Sequence, residues 1–456
     1  KSHPNNYRPV SLTSVACKLL EKIIRSDMMD HLKRRDLLSN RQYGFIEGRS
    51  TVLQLLTVLD IWTEALDQGE SIDIIYCDFK KAFDKVPHKR LLSKAKAYGF
   101  RGKLLEWIAN FLTNRHHRVR MNNHLSEWAP VISGIPQGTV LGPMLFVLYV
   151  NDLPSISQNS PVFLFADDMK VFHRIRDLND RRELQEDLTR ICAWTDRWLL
   201  ELHPDKCVTM TVGNNVDHQH AYSTNADYKL KAVSEEKDIG VIIDQKLTFS
   251  NHLAAKISKA NQVLGLIWRV FELKEPTTLV QLYKALVRPH LEYANQVWAP
   301  HLKKDIEALE NVQRRATRMI PGYKDKPYEE RLRQLRLPTL AYRRLRGDMI
   351  EMFKMNSIYE LQVVPRRAHI TAIDPRTRGH NKKVPIERTR INTRKYSFFI
   401  RSAEPWNSLP SHVVNAPSVS TFERRLDNAW CNHPLKFDYK SEVRSLTATA
   451  ARVQEW

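Results

Sequence analysis

The chain has 456 residues, 42% hydrophobic and 9% aromatic, which is material for two or three packed domains and excludes a disordered polymer. Lysine and arginine number 71 against 51 acids, a formal charge of +20 that a neutral small-molecule enzyme does not need. Such an excess points to a polyanion, either nucleic acid or an anionic membrane. The longest apolar run is broken by Gly and Pro and ends at Val150-Asn151-Asp152, short of the ~20 residues of a membrane span, so nucleic acid is the expected partner and no membrane.

The first residues, Lys-Ser-His-Pro, include no initiator Met and no signal peptide, so a piece of a longer intracellular protein is expected. Five cysteines (Cys17, Cys77, Cys192, Cys207, Cys431) lie far apart without a Cys-x-x-Cys pair, which fits reduced thiols rather than a disulfide framework or zinc ribbon.

In chain order, SIDIIYCDF (71–79) predicts a strand ending at Asp78, with a helical pattern of Phe79, Ala82 and Phe83 directly after it. Alone, Asp78 is what an N-cap looks like. SGIPQGTVLGPMLFVLYVND (133–152) predicts a Gly/Pro loop that other backbone can approach closely, followed by a strongly apolar helix from Val140. VFLFADDMKVF (162–172) predicts two strands joined by a tight turn, with Asp167 and Asp168 at its tip. Alone, that is a surface turn. KDIGVIID (237–244) is strand-like. After residue 250 the period becomes helical: Leu253, Ile257, Ala260, Leu264, Ile267 and Phe271; then Leu279 to Val287 up to Pro289; then Ile306, Leu309, Val312 and Met319. The expected division is an α+β unit at 1–250, an all-helical unit at 251–360 and a basic region of no assigned role at 361–456.

Charge concentrates late in the chain. Residues 311–350 hold eleven Lys/Arg against four acids, and 366–395 hold ten against two. The first stretch predicts a helical face for phosphates, carrying Arg314, Arg315 and Arg318, and the second a basic linker or arm.

Asp78, Asp167 and Asp168 change meaning if a sheet brings them together. Three gathered carboxylates repel one another and need cations, and hard oxygen ligands suit Mg²⁺, whose remaining ligands are water and substrate phosphate. Two such ions would serve phosphoryl transfer. Between the acids, Gln137 in the Gly/Pro loop offers a donor and an acceptor.

The stretches NNYRPVSL (5–12), QYGFIEGRST (42–51), YCDFKKAFD (76–84), SGIPQGTVLGPMLF (133–146), FADD (165–168), LELHPDKC (200–207) and DIGVIID (238–244) follow one another in a known order. By them the chain resembles the reverse transcriptases of non-LTR (LINE-type) retrotransposons, most like the jockey and chicken-repeat groups. LYKALVRPHLEYANQVW and WNSLP resemble downstream segments with lower specificity. The resemblance implies a right-hand polymerase with palm, fingers and helical thumb. It would copy RNA template into DNA from a DNA primer and deoxynucleoside triphosphates, by target-primed reverse transcription, with two Mg²⁺ ions (Mn²⁺ a possible substitute). It implies Asp78, Asp167 and Asp168 as catalytic carboxylates, with the Phe79 carbonyl as a further metal ligand. Phe83 would lie against the sugar and exclude a 2′-hydroxyl, and Gln137 would touch the templating pair or nucleotide. Lys206 would protonate departing pyrophosphate, Arg8 and Arg49 would lie near triphosphate and template, and Gly240 near the primer end. It also implies an upstream endonuclease domain in the full-length element and a nuclear site of integration after cytoplasmic assembly.

Two other classes fit less well. An RNA-dependent RNA polymerase shares the palm and an acidic pair spaced like Asp78 and Asp84, but usually places Gly where Ala166 stands and a polar group where Phe83 stands. An inactive RNA-binding remnant would not need Asp78, Asp167, Asp168, Gln137 and Lys206 together.

Overall fold

The computed structural model describes residues 10–213, 220–225, 228–272, 274–368 and 379–441. Arg8 therefore lies outside the described residues. The chain forms two compact units, one of residues 1–54 with 70–234 and one of 55–69 with 235–456.

The first unit is built on a five-stranded sheet. Its strands are β1 (Ser71–Cys77), β2 (Val162–Phe165), β3 (Asp168–Ile175), β4 (Val208–Val212) and β5 (Lys231–Ala232), in the order β5-β4-β1-β3-β2. Central β1 is buried along its whole length, which is why its sequence is a near-continuous apolar run. The one acid within it, Asp73, accepts hydrogen bonds from Thr211 Oγ1 and Tyr222 Oη, both at 2.6 Å, with Arg181 Nε 3.4 Å away. The apolar helix predicted from Val140 runs Gly142–Val150 and is buried at every residue but Pro143. A helix apolar all round can only be a core element, and its Leu145, Phe146 and Tyr149 share one cluster with Ile75 and Cys77 of β1.

The second unit is mainly helical. Helices Ser250–Val270 and Lys303–Arg318 match the sequence periodicity. The stretch predicted to stop at Pro289 continues instead to Glu292, because a π-turn at Tyr283–Val287 lets Pro289 fall in the first turn of the next helix. The DIGVIID segment forms a hairpin, β6 (Glu235–Asp238) with β7 (Val241–Asp244), separate from the five-stranded sheet. It was expected beside the palm strands. It belongs with the helices because the Ile242 amide donates to His252 Nδ1 at 3.1 Å and Asn251 Nδ2 to Glu235.

In the basic C-terminal stretch, of which 369–378 lie outside the described residues, two arginines are packed rather than free. Arg394, 2% exposed, donates to Asp60 Oδ1 (2.7 Å), Asp60 O (3.1 Å) and Thr63 Oγ1 (2.8 Å). Arg367 pairs with Asp60, Glu64 and Glu387. These arginines are paired inside the unit with acids that lie outside the 366–395 window or late within it. WNSLP is a clasp: Trp406 is fully buried, and Asn407 exchanges two 2.9 Å hydrogen bonds with the Val384 backbone. The cysteines are all free thiols, and Cys431 follows the end of helix Val419–Ala429.

Candidate active site

The site lies at one end of the five-stranded sheet of the first unit. The hairpin forms as predicted, with Phe165 paired to Asp168 and only Ala166 and Asp167 in the turn. Ala166 takes φ +58°, a left-handed conformation that costs a non-glycine residue roughly 1–2 kcal/mol. Its neighbours must hold it there. β3 also pairs with β1, ending at Cys77 opposite Met169. Asp78 follows Cys77 and Asp168 precedes Met169, so the same register continued by one step would set the two acids opposite each other. Asp78 and Asp167 are half-buried and Asp168 is exposed, so each of the three reaches solvent at the end of the sheet where β1 stops and β3 begins.

Asp78 is not an N-cap. The short helix after it is Ala82–Lys85, capped by Lys81. The backbone at 78–80 is instead fixed by the LELHPDKC segment. His203 N–H donates to Asp78 O (2.7 Å) and Lys80 N–H to Glu201 O (2.8 Å), on either side of a Phe79–Leu202 bridge. In that pattern Phe79 is a non-hydrogen-bonded partner, so its carbonyl turns from Leu202 toward the edge where β3 lies. The same segment delivers Lys206, whose Nζ is 2.7 Å from Asp78 Oδ2. Its ammonium thus balances the carboxylate directly while its side chain stays 59% exposed.

The Gly/Pro loop is laid against the turn after β1. Ile135 N–H donates to Phe83 O (2.7 Å) and Gly134 N–H to Val86 O (2.9 Å). Gly134 has φ +89°, and a Cβ there would sit 2.6 Å from Asp84 O, so glycine is required. Gln137 Nε2 donates to Asp84 Oδ1 at 2.9 Å, which ties the loop to the second acid of the DFKKAFD stretch. Phe83 stacks on Phe146 at 4.4 Å and meets Phe45 edge-on at 6.3 Å. It is half-buried, held by these two ring contacts.

Arg49 donates from Nη1 to Ser39 O and Gln42 O, both at 2.6 Å, so it holds the 39–42 backbone. Gly240 has φ +87°, and what approaches it is the Tyr293 ring of its own unit, 3.1 Å from where a Cβ would be. Of the three arginines late in helix Lys303–Arg318, Arg315 and Arg318 are exposed. Arg314 is drawn inward to Asn311, Tyr439 and the Tyr328 ring.

Gln42 was not singled out in the sequence. It is fully buried, and its Oε1 accepts from Ala166 N–H (2.9 Å) and Gly44 N–H (2.7 Å) while Nε2 donates to Ala166 O (3.4 Å). Tyr43 N–H and Leu164 N–H extend the contact as backbone bonds of 2.8 and 2.9 Å. The one signal of Gln42 in the sequence is its place in QYGFIEGRST, the stretch that also carries Arg49.

Three oxygen-ligand acids at an accessible sheet end, beside a carbonyl turned the same way, are a donor set that suits a hard divalent cation. They are not drawn as tightly together as His173, Asp180 and Glu183, the one such trio among the described residues with ligand atoms within 4.8 Å. That trio has a structural explanation, since Asp180 completes the capping box of helix Leu178–Trp198 and lies 3.6 Å from His173 Nε2.

Residues 1–256 match the family model for reverse transcriptase (RNA-dependent DNA polymerase). The probable RNA-directed DNA polymerase from transposon BS of Drosophila melanogaster is 31% identical over 345 residues, which is 71% of this chain and 37% of that protein. The RNA-directed DNA polymerase from mobile element jockey of the same fly is 27% identical over 397 residues, 82% of this chain and 42% of that one. The chain thus spans well under half the length of these curated relatives. Among solved structures, Candida albicans telomerase in complex with a telomeric RNA fragment covers 70% of this chain and 58% of its own, at 11% identity and a TM-score of 0.41. With more than half of its residues matched, the acids and the Gly/Pro loop among them, the chain belongs to the reverse transcriptase (RNA-dependent DNA polymerase) family.

Proposed function

We propose that this chain is an RNA-directed DNA polymerase that extends a DNA primer on a retrotransposon RNA, using deoxynucleoside triphosphates. The observation that carries it is the β1–β3 register, whose last pair, Cys77 with Met169, is flanked by Asp78 after β1 and by Asp168 beside the Ala166-Asp167 turn. Asp78, Asp167, Asp168 and the Phe79 carbonyl would hold divalent metal, Mg²⁺ by preference with Mn²⁺ as a substitute. When bound, such ions activate the primer hydroxyl and stabilise the leaving phosphate oxygen. Lys206 releases Asp78 to that role and, swung outward, offers a proton to departing pyrophosphate. Gln137, oriented by Asp84, floors the nucleotide or templating pair. Arg49 acts through the 39–42 backbone, and Arg8 is carried over from the family pattern. Extension of a DNA primer on a defined RNA tests the whole assignment.

Phe83 would set sugar choice by filling the space of a 2′-hydroxyl. Phe83→Ala is expected to raise ribonucleotide over deoxynucleotide incorporation by about tenfold or more, the scale of one steric contact. Equal loss of both activities would leave only its stack on Phe146, a contact of roughly 0.5–1.5 kcal/mol.

The helices of the second unit would act as the thumb, and Arg315 and Arg318, on the exposed face, would meet duplex phosphates. Each phosphate contact releases counterions, so Arg315→Ala with Arg318→Ala should weaken RNA–DNA binding and flatten the log–log salt slope by about two. Adding Arg314→Ala should instead lower stability, because Arg314 already contacts Tyr439 and Tyr328. Binding curves across a salt series that superimpose on wild type would show these arginines are merely solvated.

A further inference from the structure

We infer that Gln42 is a positioning residue for the acidic turn: its side-chain amide clamps the Ala166 peptide so that Asp167 and Asp168 are presented at the hairpin tip. The inference rests on the polymerase function proposed above and adds a residue on which its rate depends.

The geometry is specific. Gln42 and Ala166 are 124 residues apart, yet the Gln42 amide meets both the N–H and the C=O of Ala166, as one edge of a base meets another. Its orientation is settled by chemistry, because the Ala166 and Gly44 backbone N–H groups can only donate and must face Oε1. Nε2 is then left to donate to the Ala166 carbonyl. No water or other side chain is needed, since Gln42 is fully buried. Gly44 completes the cradle. A Cβ there would lie 2.3 Å from Ala166 N, so the two backbones touch and only glycine fits. Asp167 follows Ala166 directly, and a left-handed φ at Ala166 sets the direction in which the chain carries both acids. A hydrophobic side chain at position 42 would leave the turn in place but free to relax by local rotation.

Gln42→Leu and Gln42→Glu test this in the full chain, by primer extension on RNA with deoxynucleotides. Gln42→Leu should lower kcat by about 10²-fold, the effect of an active-site misplacement of about 1 Å. Template–primer Kd should not change, and the Mg²⁺ concentration for half-maximal rate should rise. In Gln42→Glu, a protonated carboxyl reproduces acceptor and donor, whereas an ionised one turns an acceptor onto the Ala166 carbonyl. Its rate relative to wild type should therefore climb as pH falls from about 8.5 to 6.5. A merely structural loss would give a ratio that is flat with pH. If Gln42→Leu fails to fold, the Gln42→Glu series decides alone. Wild-type rate and Mg²⁺ dependence in Gln42→Leu, or a flat Gln42→Glu ratio, overturns the inference while an active wild type keeps the polymerase assignment. An inactive wild type overturns both.

Discussion

Asp167→Asn is expected to abolish deoxynucleotide incorporation, by about 10³-fold or more, without lowering the melting temperature. The two effects separate because the side chain works through charge and not through packing. An amide of the same size keeps the two-residue turn between Phe165 and Asp168. It loses the charge that would hold divalent metal, and several kcal/mol of stabilisation of the developing phosphate charge go with it, which is three or more decades in rate. Stability should hold or rise slightly, since Asp168 is the next residue and adjacent carboxylates repel. Parallel thermal melts and single-turnover extension check both halves. A variant that melts like wild type and still extends with normal metal dependence would mean that Asp167 is an ordinary turn acid.

Arg394→Met is expected to act in the opposite way, lowering stability with little direct effect on nucleic-acid binding. Arg394 is 2% exposed and donates to the Asp60 carboxylate, the Asp60 carbonyl and Thr63. Removing the guanidinium leaves a carboxylate buried with less compensation, a change that typically costs about 3–5 kcal/mol. Arg367 still reaches Asp60 at 3.1 Å, which places the expectation at the lower end of that range. For a unit of this size the melting temperature should fall by about 6–12 °C. Arg388→Met, at an exposed position of the same stretch, should stay within about 0.5 kcal/mol of wild type. Differential scanning calorimetry of the three proteins checks this. A melt unchanged in Arg394→Met, with a flattened salt slope for RNA–DNA binding, would restore the view of 366–395 as a phosphate-binding arm.

These two residues also mark what could be read from sequence. Asp167 stood out because its signal is local: apolar runs of strand length on both sides of two acids specify a hairpin without reference to the rest of the chain. The strand 71–77 and the buried helix at 142–150 were legible for the same reason, since burial on all sides leaves an unbroken apolar run. Arg394 misled because its partner, Asp60, is 334 residues away, and a charge run shows nothing of acids that far off. Gln42 was hidden in the same manner, its partner lying 124 residues downstream. Gly240 carried a local signal, a turn with φ +87°, but its tertiary setting was not legible: its hairpin is bound by His252 and Tyr293 of the helical unit. Period and turn chemistry are written in adjacent residues; which surfaces meet is written only in the fold.

The most direct test is extension of a labelled DNA primer on a defined RNA template by the wild-type chain. The arms are deoxynucleotides against ribonucleotides, and Mg²⁺ against an excess of chelator. Template-directed DNA product is expected with Mg²⁺ and deoxynucleotides, little product from ribonucleotides, and none with chelator. Product from ribonucleotides at an equal rate, or DNA synthesis that persists in chelator, would contradict that expectation.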